Sequence, residues 1–367
     1  MPCQTEDKND HIVSYDINLP YAGLTAETAQ TTDYPEYMPV WEKVFFDPLP
    51  PFPFHDPALR VTDPSLPNLL TPGVSLKHIQ PSLGTVVHGL QLSTLSDVQK
   101  DELAHLVSHR KILAFPEQDL VDAGPAAQQA FMDHFGKRNY QPISGSVKGF
   151  PGFHIIHRDG NREEIRTFLG AKTTTTLWHQ DVSYEIQPPG YVMLGLLQGP
   201  EVGGDTVFAA TDTAYKRLSP AVQGFLDKLD VVHTSARMIS HARAAGGLVR
   251  KDPVETVHPL VRVHPVTGER CLFLNAEFVT GILGLKDAER EMLVDFLMRH
   301  MVSGHDFQAR VSWSPRTIVI FDNRSCLHSA IVDYIDEEFN AQPRHIFRLC
   351  AMAEKPIPVE RDGKINI

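Results

Sequence analysis

Residues 317–328 read Thr-Ile-Val-Ile-Phe-Asp-Asn-Arg-Ser-Cys-Leu-His. The first five, Thr317–Phe321, form one β-branched and aromatic run of the kind found in buried strands. Asp-Asn-Arg-Ser then supplies turn residues, and His328 stands just beyond them. Comparable short runs occur at Lys111–Phe115, Tyr191–Leu197, Thr206–Ala209, Leu260–His264, Cys271–Leu274 and Phe347–Met352. Many short strands punctuated by turn signals predict a β-sandwich or jelly roll. Helices enter as inserts. Ser96 with Gln99 forms a capping box before Val98, Leu103, Leu106 and Val107, and Pro125 and Gly136 bracket a second helix. A third is expected from about Lys286 to Ser303, with Leu285, Ala288, Met292, Leu293, Phe296 and Met301 on one face. The expected class is α+β, mainly β: a double-stranded β-helix (jelly-roll) core with helical inserts.

The N-terminal region differs in composition. Ten of the 28 prolines fall between Pro35 and Pro72, interleaved with Tyr34, Tyr37, Trp41, Phe45, Phe46, Phe52 and Phe54. Proline fixes φ and removes a donor, so this stretch is neither a helix nor a central strand. The aromatics are too apolar to be left in water. Residues 1–75 are therefore expected to be an extended arm packing on the body, and 76–367 a single domain. A linear recognition motif is the other reading of the arm.

Charge and cysteine usage narrow the function classes. With 34 Lys+Arg against 45 Asp+Glu, the net charge of −11 argues against nucleic acid, whose phosphates require a basic surface. The four cysteines, Cys3, Cys271, Cys326 and Cys350, lack CxxC spacing, which speaks for reduced thiols and a cytoplasmic protein. The first ten residues are polar and acidic, unlike a secretory signal. No apolar stretch approaches the ~20 residues needed to span a bilayer, so no membrane partner is expected.

Eighteen histidines call for a geometric filter. Residues i and i+2 of a strand share a face, so His-x-Asp sets an imidazole beside a carboxylate. His157-Arg158-Asp159 is one such pair, but the Gly160-Asn161 that follows makes it a strand-end turn. The other, His179-Gln180-Asp181, lies among Trp178, Val182 and Tyr184. Adding His328 from another strand completes a two-histidine, one-carboxylate facial triad, which leaves open positions on Fe(II) for a co-substrate and O2.

The pieces around this triad carry a resemblance. The segments Trp178–Gly190 (WHQDVSYEIQPPG), Gly203–Phe208 (GGDTVF), Arg217–Pro220 (RLSP), Phe321–Ala330 (FDNRSCLHSA) and Arg344–Arg348 (RHIFR) stand in order. Upstream, Tyr34–Trp41 (YPEYMPVW) and Phe135–Gly145 (FGKRNYQPISG) extend the match. Together they resemble the taurine dioxygenase (TauD/TfdA) family of Fe(II)/2-oxoglutarate-dependent oxygenases, in its fungal alkylsulfonate-oxygenase-like branch. The resemblance implies His179, Asp181 and His328 as iron ligands. It also implies Thr206 and Arg344 as partners of 2-oxoglutarate, and Arg348 as the partner of a small anionic organic substrate. A guanidinium suits the last two roles because it binds a carboxylate bidentately and stays charged.

One departure bears on the substrate. Sulfonate-oxidising members place a histidine where this chain has Gln141, before Pro142. A neutral amide there removes one potential cationic partner of a sulfonate. Thr175, in the run Thr173–Thr176 before the metal motif, is the remaining candidate substrate contact and offers only a hydroxyl. The expected reaction is oxidation of a C–H bond of a carboxylate-bearing, amino-acid-like substrate, by hydroxylation, desaturation or ring closure, with release of succinate and CO2. An alkylsulfonate is the alternative substrate. A catalytically silent metal-binding protein of the same fold, or a zinc hydrolase, are alternatives from other classes, although no HExxH helix supports the hydrolase. Homo-oligomerisation stays open.

Overall fold

The structure is a computed structural model that describes residues 11–13 (backbone only), 32–158, 177–244, 246–334 and 343–360. Its spine is an eight-stranded sheet. From one edge it runs Ser75–His78, Thr85–His88, Ile112–Phe115, Ile318–Asp322, Pro189–Gln198 and Arg344–Met352. The last strand pairs along its outer side with Phe153–Arg158 and then with Lys137–Arg138. All of these pairings are antiparallel except that of Thr85–His88 with Ile112–Phe115. Facing this sheet is a smaller antiparallel one, ordered Gln308–Val311, Thr206–Ala210 and Cys326–Ala330. The mainly β, jelly-roll architecture is as expected.

The central strands explain the continuous apolar runs. Along Pro189–Gln198, Val192, Leu194 and Leu196 enter the core between the two sheets, while Tyr191, Met193 and Leu197 enter a second core under the helices. A strand covered on both faces has no polar side to alternate with. Gly195 is part of that packing, since a Cβ there would stand 2.2 Å from the Phe347 ring.

The helices start where the caps predict. Ser96 and Gln99 form the capping box of Asp97–Arg110, and Pro125 opens Pro125–Asp133. The helix Asp287–Ser303 corrects the expected face. Leu293, Leu297 and Met301 are buried, but Met292 is 69% and Phe296 42% exposed. Both sit one residue, about 100° of helix rotation, away from the buried i, i+4, i+8 stripe. Val98 is likewise exposed, in the first turn of its helix.

The segment after residue 32 is bonded to the sheet at several points. Tyr37 and Trp41 are buried, and the His345 ring bridges the Thr32 hydroxyl (3.2 Å) and the Tyr37 carbonyl (3.1 Å). Val40 and Ser146 exchange backbone hydrogen bonds, and Trp41 Nε1 donates to the Ile143 carbonyl at 2.7 Å. Gly145 permits this approach, because a Cβ would lie 2.5 Å from Pro39. Phe45, 56% exposed, departs from the expectation that the aromatics leave solvent. Cys271, Cys326 and Cys350 are buried free thiols, while Cys3 lies outside the described residues. Among the described residues no helix is long and apolar enough to cross a membrane.

Candidate active site

His179 and His328 meet through a single antiparallel bridge, with N–H···O bonds of 3.0 and 2.9 Å in the two directions. The regular strand expected across His179–Asp181 is absent; Asp181 begins a turn. Two devices aim its carboxylate. The Asn323 side-chain oxygen accepts from the Asp181 N–H (2.8 Å), and its amide nitrogen donates to the Asp181 carbonyl (3.0 Å). Beyond it Val182 holds φ at +40°, an unfavourable conformation for a β-branched residue and one that clusters at functional sites.

The result is one cluster. A ligand atom from each of His179, Asp181 and His328 lies within 4.8 Å of the others. His179 Nε2 stands 3.5 Å from Asp181 Oδ1, and His328 Nε2 stands 3.8 Å from Oδ2. The His179 Nδ1 lies 3.1 Å from the Leu177 carbonyl, which selects the tautomer with a proton there and leaves the Nε2 lone pair for a metal. Phe208 and Phe321 pack on the His328 ring. Burial, reinforced by the nearby His179, pushes the His328 pKa down to about 3, so the ring is the neutral, ligating form. Burial alone would raise the Asp181 pKa, but the positive Arg348 and the histidines hold it well below the ordinary carboxylate range.

The donor set fits a divalent transition metal. It offers two imidazole nitrogens and one carboxylate, and Asp181 Oδ2 is buried with no hydrogen-bond partner among the described residues. A buried, ionised acceptor left so is costly, and a cation beside it removes the cost.

The two arginines of Arg344–Met352 are four residues apart and share the sheet face that looks onto the cluster. Arg348 Nη1 contacts Asp181 Oδ1, while its Nε has no hydrogen-bond partner among the described residues. The arginine expected to meet the substrate therefore touches the carboxylate of the metal cluster. Arg344 is buried, and its Nε donates to the Gly204 carbonyl at 3.0 Å. Burial pushes its pKa down to about 10, which leaves it charged at neutral pH. Gly203 and Gly204, at φ +88° and +71°, fold this loop tightly, and a Cβ on Gly204 would stand 3.2 Å from the Arg344 side chain. Thr206 lies two residues from Phe208, the direct partner of His328, and so shares the His328 face. Its hydroxyl accepts from Trp313 Nε1 at 3.2 Å.

Gln141 is buried beside Pro142, whose carbonyl accepts from the Arg250 N–H, and among the described residues no hydrogen bond ties it to the cluster. Thr175 and Asp159 lie outside the described residues. Two residues escaped the sequence reading. Asn323 lies in the turn after Ile318–Asp322, and a buried turn amide after a strand is its only signal in the sequence. His154 sits directly across from Arg348 in the sheet, a register that sequence does not carry.

A jelly roll closing on two histidines and one aspartate defines the class of mononuclear non-heme metal enzymes. Comparison with known proteins makes this specific. Residues 75–350 match the family described as "Taurine catabolism dioxygenase TauD, TfdA family". The chain is 40% identical over 333 residues to an alpha-ketoglutarate-dependent sulfonate dioxygenase of Saccharomyces cerevisiae, covering 89% of this chain and 80% of that protein. It is 35% identical over 354 residues to the alpha-ketoglutarate-dependent dioxygenase cnsM of Penicillium expansum, covering 92% and 96%. A taurine dioxygenase structure from Burkholderia xenovorans superposes with a TM-score of 0.61 at 27% identity, covering 78% of this chain and 93% of that one. The chain belongs to the TauD/TfdA family of 2-oxoglutarate-dependent dioxygenases.

Proposed function

We propose that the protein is an Fe(II)/2-oxoglutarate-dependent oxygenase that oxidises a C–H bond of a small organic acid. The observation that carries this reading is the convergence of His179, Asp181 and His328 around the unpartnered Asp181 Oδ2. His179, Asp181 and His328 hold the iron, while Arg344, with the Thr206 hydroxyl, pairs with the carboxylates of 2-oxoglutarate. Iron, 2-oxoglutarate and O2 together supply the oxidising power, with succinate and CO2 as co-products. The residues do the rest. Arg348 keeps Asp181 ionised and turns its unpartnered Nε to the substrate's anionic head. Asn323 fixes the Asp181 backbone, so the carboxylate needs no reorganisation when the metal arrives. Thr175 and Gln141 complete the substrate contacts, and residues 1–75 form an arm on the single oxygenase domain 76–367.

For the substrate, a carboxylate-bearing, amino-acid-like molecule agrees with the neutral Gln141. A second reading, an alkylsulfonate, is favoured by the 40% identity to the yeast relative named a sulfonate dioxygenase. A succinate-release assay over amino acids and taurine-like sulfonates separates them. Asp181→Ala is expected to abolish release with every substrate; a fully active variant refutes the ligand set. Gln141→His is expected to raise sulfonate turnover relative to carboxylate turnover.

A further inference from the structure

A cavity of about 210 Å³ opens along the strand Phe153–Arg158, whose His154 is the sheet partner of Arg348. One wall is the strand Phe153–Arg158, in which His154 and Ile156 pair directly with Arg348 and Ile346. Directly paired residues of an antiparallel ladder share a face, so both side chains stand on the sheet face that carries Arg348, with Cβ atoms ~5 Å from their partners. Pro39 and Trp41 from the N-terminal segment, seated over Gly145, line it too, as does Leu248. Trp41, Ile156 and Leu248 make part of the lining apolar, while Ser144, His154 and Arg158 make the rest polar; the cavity meets Arg348 only through its sheet partner His154. His154 Nδ1 is buried with no hydrogen-bond partner among the described residues.

A buried ring nitrogen left unpaired on a cavity-lining residue, whose sheet partner is an arginine with an unpaired Nε, calls for a polar ligand group. The apolar part of the lining, Trp41, Ile156 and Leu248, calls for something other than a short polar chain. Resting on the oxygenase reading above, we propose that this cavity is the substrate chamber, in which His154 hydrogen-bonds the anionic head beside Arg348. Trp41 of the docked N-terminal segment packs on an apolar or aromatic body. The substrate class is an arylalkyl- or alkyl-substituted small acid, rather than a compact zwitterion such as taurine. Burial, with the positive Arg348 adding to it, holds the His154 pKa well below its ordinary value, in keeping with a neutral hydrogen-bonding imidazole. A volume of about 210 Å³ is below the roughly 300–1,000 Å³ of drug-sized sites and suits one small ring with a short acid chain.

The test is calorimetric binding to the Fe(II)- and 2-oxoglutarate-loaded enzyme, held anaerobically. Four probes cross head with body: 3-phenylpropanoate, 2-phenylethanesulfonate, β-alanine and taurine. The phenyl members are expected to bind at least tenfold tighter than the compact members with the same head. Trp41→Ala is expected to erase that preference. Ile156→Phe, which fills the chamber without unseating the N-terminal segment, is expected to erase it too and guards against misfolding of the first variant. His154→Leu is expected to weaken both phenyl acids about tenfold or more while the phenyl preference persists. Absence of a phenyl preference in the wild type, its survival in both chamber variants, unchanged affinity in His154→Leu, or no binding of any probe overturns the proposal. Titration of 2-oxoglutarate alone keeps the two readings apart. If it fails to bind, the oxygenase reading falls; if it binds and the chamber results fail, only the chamber assignment falls.

Discussion

Two buried arginines of the described residues, Arg324 and Arg348, grip aspartates, and their surroundings are built differently. Arg324 grips Asp322 with Nε at 2.9 Å and Nη2 at 2.7 Å. Its Nη1 reaches Asp56 at 2.5 Å, and its guanidinium lies over the Tyr191 ring. Asp322 also meets His264 Nε2 at 2.9 Å, and Asp56 accepts from the Tyr191 hydroxyl. Every donor nitrogen of Arg324 has an acceptor. Arg348 instead makes one contact with Asp181 and leaves its Nε, Asp181 Oδ2 and His328 Nδ1 without hydrogen-bond partners among the described residues. A saturated buried network fixes one arrangement of chain; an undersatisfied one pays for itself only when a ligand completes it. The first pair locks the segment around Asp56 to the turn after Ile318–Asp322. The second is the site.

The largest expected effect is on the saturated pair. Arg324→Met strands two buried carboxylates, Asp56 and Asp322, and should cost about 3–5 kcal/mol in urea unfolding. It should leave metal affinity in the folded fraction intact; a loss under about 1 kcal/mol breaks the comparison. Arg348→Met should cost less, about 2 kcal/mol without metal, because Asp181 keeps two imidazoles beside it. Here Mn(II) should recover most of the loss, since a cation takes over the carboxylate; the same Mn(II) should not rescue Arg324→Met.

Acid offers a smaller, graded effect. Burial pushes His345 and His233 from 6.5 down to about 3, and His258 down to about 4. The folded pKa values lie below the unfolded ones, so the unfolded chain takes up protons first as pH falls. Stability is then full above about pH 6.5 and declines toward pH 4, by about 1–2 kcal/mol per imidazole at pH 5. Urea midpoints at pH 7 and pH 5 measure it, and His345→Asn should flatten the slope. The smallest effect belongs outside both clusters. Phe296→Ser, on the exposed side of its helix, should change stability by no more than about 0.5 kcal/mol in the same assay.

Strand positions, helix starts and the His179/Asp181 half of the cluster were legible because each is written locally. A run of β-branched residues makes Ile318–Asp322, Ser96 caps its helix through Gln99, and the His-x-Asp spacing announces His179 and Asp181. What was not legible depends on register and rotation. His154 reaches the site only because Phe153–Arg158 pairs with Arg344–Met352 in one particular alignment. Met292 and Phe296 look core-facing until the helix is rotated against the body. Arg348 on Asp181 is a contact between residues 167 positions apart, which no spacing rule reaches.

Everything proposed for this site depends on a single metal held by His179, Asp181 and His328, with 2-oxoglutarate beside it. It is tested most directly by adding Fe(II) and then 2-oxoglutarate to the protein without oxygen and recording the visible spectrum. A charge-transfer band at one iron per chain, lost in Asp181→Ala and weakened in Arg344→Ala, is the expected result. No band in the wild type, or an undiminished band in Asp181→Ala, would rule out this ligand set.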